Sequence, residues 1–260
     1  MKFALINGVR QEAQRNLSGQ CPACDQAMIA KCGDVKVWHW AHKGRRKCDP
    51  WWENETEWHR AWKGQFPKEC QEIVHKADNG VKHIADVKTD QGWVIEFQHS
   101  RIEPEERRSR DTFYPKLVWV VDGARLKRDR KQFQNALAKS IFTYSNLRAW
   151  KISPDECVLL KEWADSLAHV FFDFGGETLW LLLSKGTSGP MYVKDYPRTQ
   201  FIRIHSSGEI QKAGGFDKFV KELAEFVAQY ESDGQVQPLK QAPQLQRQGL
   251  RQMVRRGRLL

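Results

Sequence analysis

Residues 82–102, KHIADVKTDQGWVIEFQHSRI, constrain the fold more than any other stretch of the chain. Two runs rich in Ile, Val, Trp and Phe flank TDQG, whose glycine suits the left-handed position of a three-residue hairpin loop. With residues 90–92 as that loop, Asp86 falls opposite Glu96 and Ile84 opposite Gln98. Side chains alternate along a strand, so Asp86, Glu96 and Gln98 share one face. Two carboxylates facing each other at about 5 Å destabilise a sheet. Solvent, a basic neighbour such as Lys88, or a bound cation must compensate.

The remaining sequence narrows the choice. No apolar run approaches the roughly 18 residues of a membrane span, and MKFALINGVR is too short and too soon interrupted by Asn-Gly to be a signal peptide. A cytoplasmic address is the expectation, with no membrane partner. In a reducing compartment the six cysteines read as metal ligands or core thiols, not as a disulfide framework. A formal charge of +10 favours a polyanionic partner.

Along the chain, FALI, Asn-Gly and Val9–Ala13 form an opening hairpin. DPWWENETEWHRAWKGQF, residues 49–66, opens with an Asp-Pro turn and continues as a helix with Glu55, His59 and Lys63 on one face. After the acid-bearing hairpin, Glu103-Pro104 opens a charged helix closed before Pro115. KLVWVVDG reads as a strand buried on both faces. Residues 131–148 read as a helix and Pro154 as a break. HVFFDFGGETLWLLLSKG gives a second hairpin across Gly175-Gly176, QFIRIHSSG a further strand, and GFDKFVKELAEFVAQYE an amphipathic helix. These later elements extend the core or form a small subdomain. Of the eleven tryptophans, which could stack on unpaired bases, Trp93, Trp119 and Trp180 are assigned to the core. From residue 232 the composition turns to Gln, Pro and basic residues, with Asp233 the one acid, which predicts a disordered basic tail.

Cys21-Pro-Ala-Cys24 and His39-Trp-Ala-His42 are two close pairs able to clasp a tetrahedral ion, and zinc suits two thiolates and two imidazoles. Cys32 and Cys48 are alternatives to either histidine. Such a site is structural, since a module with so small a core needs its metal to fold. A zinc deaminase is excluded, because His-x-Glu ahead of Pro-Cys-x-x-Cys is missing.

On the hairpin, an Asp on one strand with Glu-x-polar on the next can hold a divalent cation that polarises a phosphodiester and activates water. Glu55 on the preceding helix could complete the shell. The alternative is a solvated edge face on which Asp86 and Glu96 pair with Lys88 or Lys63.

CPAC with HWAH, ETEWHRAWK, HIADV and IEFQHS, in that order over roughly residues 1–122, resemble the competence protein CoiA-like family of the PD-(D/E)XK nuclease superfamily. The resemblance implies an α/β fold, a restriction-endonuclease-like mixed sheet flanked by helices with an N-terminal zinc-binding module; the residues after about 150 fall outside it and read from their own pattern as a C-terminal α+β extension. Taken together with the element pattern and the composition, it divides the chain into a zinc module at 1–50, a nuclease core at 51–150, the extension at 151–231 and the tail at 232–260. It further implies Mg2+- or Mn2+-dependent DNA cleavage in uptake, recombination or defence, with Asp86 and Glu96 as metal ligands and Glu55 as the helix acid. Gln98 stands where the superfamily usually carries Lys; a neutral amide orients water but does not neutralise phosphorane charge. Lys63 and Lys88 are the candidate charge donors there. With Arg251, Arg255, Arg256 and Arg258 of the tail they are the expected nucleic-acid contacts, and the C-terminal region offers a place for a protein partner. A binding module of zinc finger, tryptophans and tail that grips nucleic acid without cutting it is the competing reading.

Overall fold

A computed structural model describes residues 1–44, 51, 55–77, 80–143, 149–183, 191–206 and 215–233. Cys48 and tail residues Arg251, Arg255, Arg256 and Arg258 lie outside these.

The first 44 residues build a five-stranded sheet of order β2-β1-β3-β4-β5, from β1 (Phe3–Ile6), β2 (Val9–Glu12), β3 (Ser18–Gln20), β4 (Ala27–Lys31) and β5 (His39–His42). Asn7 and Gly8 both hold positive φ, as the Asn-Gly turn of a tight hairpin requires. Met28 and Trp40, each 1 % exposed, centre its small core, and Val74 and Ile84 of the larger sheet pack against it.

The larger sheet has nine strands in the order β10-β11-β14-β13-β12-β9-β8-β7-β6. They are β6 (Gln71–Lys76), β7 (Lys82–Lys88), β8 (Val94–Gln98), β9 (Leu117–Asp122), β10 (Ile141–Thr143), β11 (Ala149–Ile152), β12 (His169–Asp173), β13 (Thr178–Leu182) and β14 (Met191–Pro197). β8, β9 and β12 run parallel in the middle and the other neighbours pair antiparallel. Strands on both sides of residue 150 thus belong to one sheet. Trp93, Trp119 and Trp180 are buried in its two core layers.

The hairpin register is the expected one: Val87 pairs with Ile95 and Lys88 with Val94. Gly92, at φ 79°, makes the turn. Every residue of β8 is buried, because the strand lies between β7 and β9, so the face bearing Glu96 and Gln98 is not a solvated edge.

Among the described residues, six α-helices cover the sheet: α1 (Glu57–Lys63), α2 (Pro104–Phe113), α3 (Lys127–Lys139), α4 (Val158–Trp163), α5 (Arg198–Ser206) and α6 (Gly215–Asp233). Three expectations need correction. α1 begins at Glu57, since Thr56 is extended and its hydroxyl accepts from the His59 N–H; Glu55 therefore precedes the helix. α3 ends at Lys139, where Ser140 turns extended, and Ile141–Thr143 pairs with Ala149–Ile152 as a strand. The segment QFIRIH is the body of α5, not a strand. Its apolar residues fit either period, but Phe201, Ile204 and His205 are the buried ones, which is the i, i+3, i+4 spacing of a helix face.

Candidate metal module and acid-lined site

Cys21 to Gln26 form a tight turn, closed by Asp25 N–H to Cys21 O and Cys21 N–H to Gln26 O, both 2.9 Å. Asp25 takes the left-handed conformation, φ 60°. This turn aims both thiols at β5, where the Cys24 Sγ lies 3.4 Å from His42 Nε2. Among the described residues, Cys21, Cys24 and His42 are the one group of three Cys, His, Asp or Glu side chains with ligand atoms within 4.8 Å of one another. Two thiols and an imidazole fit zinc. His39 is a correction to the expected set. Residues three apart on a strand point to opposite faces, and its Nδ1 lies 2.8 Å from Val37 O.

The second site grows from three adjacent strands. Gln71 pairs with Val87 and Ile73 with Ala85, which sets Glu72 of β6 opposite Asp86 of β7. Continuing the hairpin register sets Glu96 of β8 opposite Asp86 on its other side. The β7–β8 ladder stops one pair earlier, and the Asp86 Oδ2 accepts the Phe97 N–H at 3.0 Å. Three carboxylates in a row across a sheet repel, and cations answer them. Lys63 of α1, 3 % exposed, places Nζ at 2.8 Å from Glu72, 2.9 Å from Glu55 and 3.6 Å from Asp86. Arg110 of α2 donates to Glu96 at 3.3 Å, to the Trp51 carbonyl at 2.6 Å, and to Glu106.

Electrostatics follow from this packing. Burial opposes the Lys63 charge, but Glu72, Asp86 and Glu55 outweigh it and hold the ammonium well above the ordinary lysine range. Burial also opposes the Glu72 anion, yet Lys63 and the Lys2 N–H keep its carboxyl well below the usual range. Asp86 goes the other way: burial dominates over Lys63, His59 and the Phe97 N–H, and its carboxyl is pushed up. Burial disfavours the Arg110 charge, and Glu96 and Glu106 restore and raise it.

Glu72 was not visible in the sequence. Its backbone sits at φ 47°, a conformation that costs a non-glycine residue about 1–2 kcal/mol. Lys2 N–H at 2.7 Å, Phe3 N–H at 3.0 Å and Lys63 hold it there. The first strand of the N-terminal module is thereby tied to the acid site. Arg110 was also missed. Its only signal was the buried spacing of Arg107, Arg110 and Asp111 along a helix that otherwise reads as charged and solvated.

Asp86 and Glu96 fit a hard divalent ion in donor chemistry, being oxygen donors on neighbouring strands at the point where the ladder ends. An added cation would relieve the electrostatic cost of the Asp86 anion. Glu55 fits less well as a ligand, since Oε1 already takes Lys63 at 2.9 Å and Arg60 at 3.2 Å. Gln98 donates its amide to Ser100 O at 3.0 Å. Lys88, two residues from Asp86, turns instead to His75, with 3.0 Å between Nζ and Nδ1.

These features define a class of protein in which a β-module with a Cys/His cluster able to hold a metal ion is docked on the edge of a mixed sheet carrying in-register acids. Residues 9–50 match the family model described as competence protein CoiA, N-terminal domain, and residues 68–156 match competence protein CoiA, nuclease-like domain. The chain belongs to the competence protein CoiA-like family and carries its nuclease-like domain, which fits the PD-(D/E)XK resemblance. No curated protein and no solved structure matches it. α1, with Lys63, lies between the two matched segments, and everything beyond residue 156 lies outside them.

Proposed function

We propose that the protein is a divalent-metal-dependent deoxyribonuclease with a restriction-endonuclease-like core, acting in DNA uptake, recombination or defence. The observation that carries this reading is the placement of Asp86 and Glu96 on adjoining strands, in the register the hairpin continues, with Lys63 brought in from α1 to 3.6 Å from Asp86. Mg2+ or Mn2+ held by Asp86 and Glu96 would polarise the phosphodiester and lower the pKa of bound water.

The chain's own residues supply the rest. Lys63 provides the fixed positive charge that Gln98 lacks, close to where charge develops on the phosphorane. Glu55 and Glu72 act as positioning residues that keep Lys63 charged and in place. Arg110 orients the Glu96 carboxylate, and the Gln98 amide orients water. Zinc on Cys21, Cys24 and His42 would hold the N-terminal module together, and that module in turn braces Glu72 through Lys2 and Phe3.

A second reading is a zinc-containing nucleic-acid-binding protein that does not cut. It is favoured by the cations already facing both acids, Lys63 at Asp86 and Arg110 at Glu96. Cleavage assays on single-stranded, double-stranded and branched DNA with each metal, run with Asp86→Ala and Glu96→Ala, separate the two. Cleavage that depends on both acids supports the nuclease. No cleavage by wild-type protein on any substrate, with binding intact, supports the binder.

A further inference from the structure

The parallel strands β8, β9 and β12 end on the same edge of the sheet, and in open α/β sheets ligands settle at the carboxyl ends of strands. Here that edge carries a cleft of about 360 Å3 with Trp58, Ala61, Trp62, Asp122, Asp173 and Arg198 among its walls. The size suits a nucleoside-sized group. Except for Asp122, these residues lie outside both matched family segments.

The walls are fixed in place. Asp173, 2 % exposed, accepts the Trp62 indole N–H at 2.9 Å and the Trp58 indole N–H at 3.2 Å on one carboxylate oxygen. The other oxygen takes the Gly175 N–H at 2.8 Å and the Arg198 guanidinium. The Arg198 guanidinium carbon also lies 4.4 Å from the centre of the Trp62 ring. Asp122 takes the Ala124 N–H at 2.9 Å and binds His99 Nδ1 at 2.8 Å, and His99 lies beside Trp58 with ring centres 6.0 Å apart.

We infer that this cleft takes one unpaired nucleobase of a nucleic-acid strand. The half-buried Trp58 indole, its edge pinned by a buried carboxylate, offers a stacking surface at little ordering cost, while Trp62, buried between Phe97 and Arg198, backs the cleft wall. Two aspartates in the walls oppose an anion, so the neutral base enters and the phosphates stay outside. Asp122 and Arg198 bring an acceptor and a planar donor to the walls, to meet the edge of a base. A base stacked in a duplex does not present its face, so the occupant comes from a single-stranded or opened segment.

α1 connects this cleft to the acid site. Trp58, Ala61 and Trp62 line the cleft, while Lys63 reaches Asp86 and Glu72, so a strand with one base in the cleft passes the acid site within about one helix diameter. The inference rests on the nucleic-acid reading proposed above but not on cleavage.

The test is saturation-transfer NMR on the full-length protein with deoxyadenosine and thymidine monophosphates, a method that reads weak affinities. The expected result is transfer concentrated on base protons. Ala61→Phe, at an exposed helix position, fills the cleft without touching the core, and should weaken binding by at least about tenfold with an unchanged melting temperature. Trp58→Phe keeps a stacking ring and should retain more binding than Trp58→Ala. Absence of transfer to base protons in wild-type protein, or transfer equal to wild type in Ala61→Phe, overturns the inference. Nucleotide binding by a protein that cleaves nothing keeps the cleft and removes the nuclease. Metal-dependent cleavage without nucleotide binding keeps the nuclease and removes the cleft.

Discussion

Glu72 and Asp86 face each other across β6 and β7, with the Lys63 ammonium 2.8 Å from one and 3.6 Å from the other. That arrangement makes Lys63 the cation on which a buried acid cluster depends. Lys63→Met leaves Glu55, Glu72 and Asp86 short of their shared partner. Breaking a buried pair in this way costs about 3–5 kcal/mol, to be read as a lower urea midpoint at neutral pH. An unchanged midpoint would show that solvent reaches the cluster and that the lysine is not its keystone.

The same cluster sets an acid limb. The Glu72 carboxyl is held below its ordinary value, so its contribution to stability is present above about pH 4.3 and is lost as pH falls through its folded pKa. Asp86 is shifted upward and opposes this, since its protonation relieves a cost. Glu72→Gln should therefore lower stability at pH 7 and flatten its fall below about pH 4.3, whereas Asp86→Asn should raise stability at neutral pH or leave it unchanged. Thermal melts between pH 3 and 7 separate the two signs.

His205 of α5 offers an independent pH window. Burial pushes its imidazole down to about 4, so it stays neutral in the folded chain where the unfolded chain would protonate it. Folded stability should fall as pH drops from about 6.5 towards 4, and His205→Phe should flatten that segment of the profile. A profile identical to wild type would mean that the imidazole gains water when the protein acidifies.

The candidate metal module separates its two histidines. Zinc content as purified should be lost in Cys21→Ser, Cys24→Ser and His42→Ala and retained in His39→Ala, by elemental analysis. Loss of zinc in His39→Ala would place that imidazole in the coordination shell and contradict the opposite-face argument.

The sequence carried the register of the acid hairpin because a two-residue side-chain period and a turn glycine are local facts, and Val87–Ile95 pairs as they dictate. The two thiols and one histidine were likewise legible from spacing. What it did not carry is what only tertiary contact decides. Glu72 lies in QEIVHK with no motif around it and becomes important through the pairing of β6 with β7. Arg110 is one of several charges on a helix that looks solvent-facing. Thr56 moved Glu55 off the helix through a side-chain cap, yet Glu55 still meets Lys63 at 2.9 Å, because helical side chains lean toward the N-terminus and the lysine reaches back along the helix. QFIRIH satisfied both periodicities, and packing of Phe201 and Ile204 chose the helix.

Substituting the strand amide tests the division of labour with Lys63. Gln98→Lys should retain or raise metal-dependent cleavage in wild-type background, and should recover part of the activity lost in Lys63→Met, measured as single-turnover rates. No recovery would mean that charge at the strand position and charge from α1 do not act on the same phosphate.

The most direct measurement is the cleavage rate of DNA by wild-type, Asp86→Ala and Glu96→Ala proteins in Mg2+ and in Mn2+, with binding followed in parallel by fluorescence anisotropy. The account predicts that wild type cleaves in at least one metal, that each acid variant loses at least about a hundredfold in rate, and that both bind DNA as tightly as wild type or more tightly, since a carboxylate that repels phosphate is gone. Cleavage by Asp86→Ala at the wild-type rate, or no cleavage of single-stranded, double-stranded or branched DNA by wild type in either metal, would contradict it.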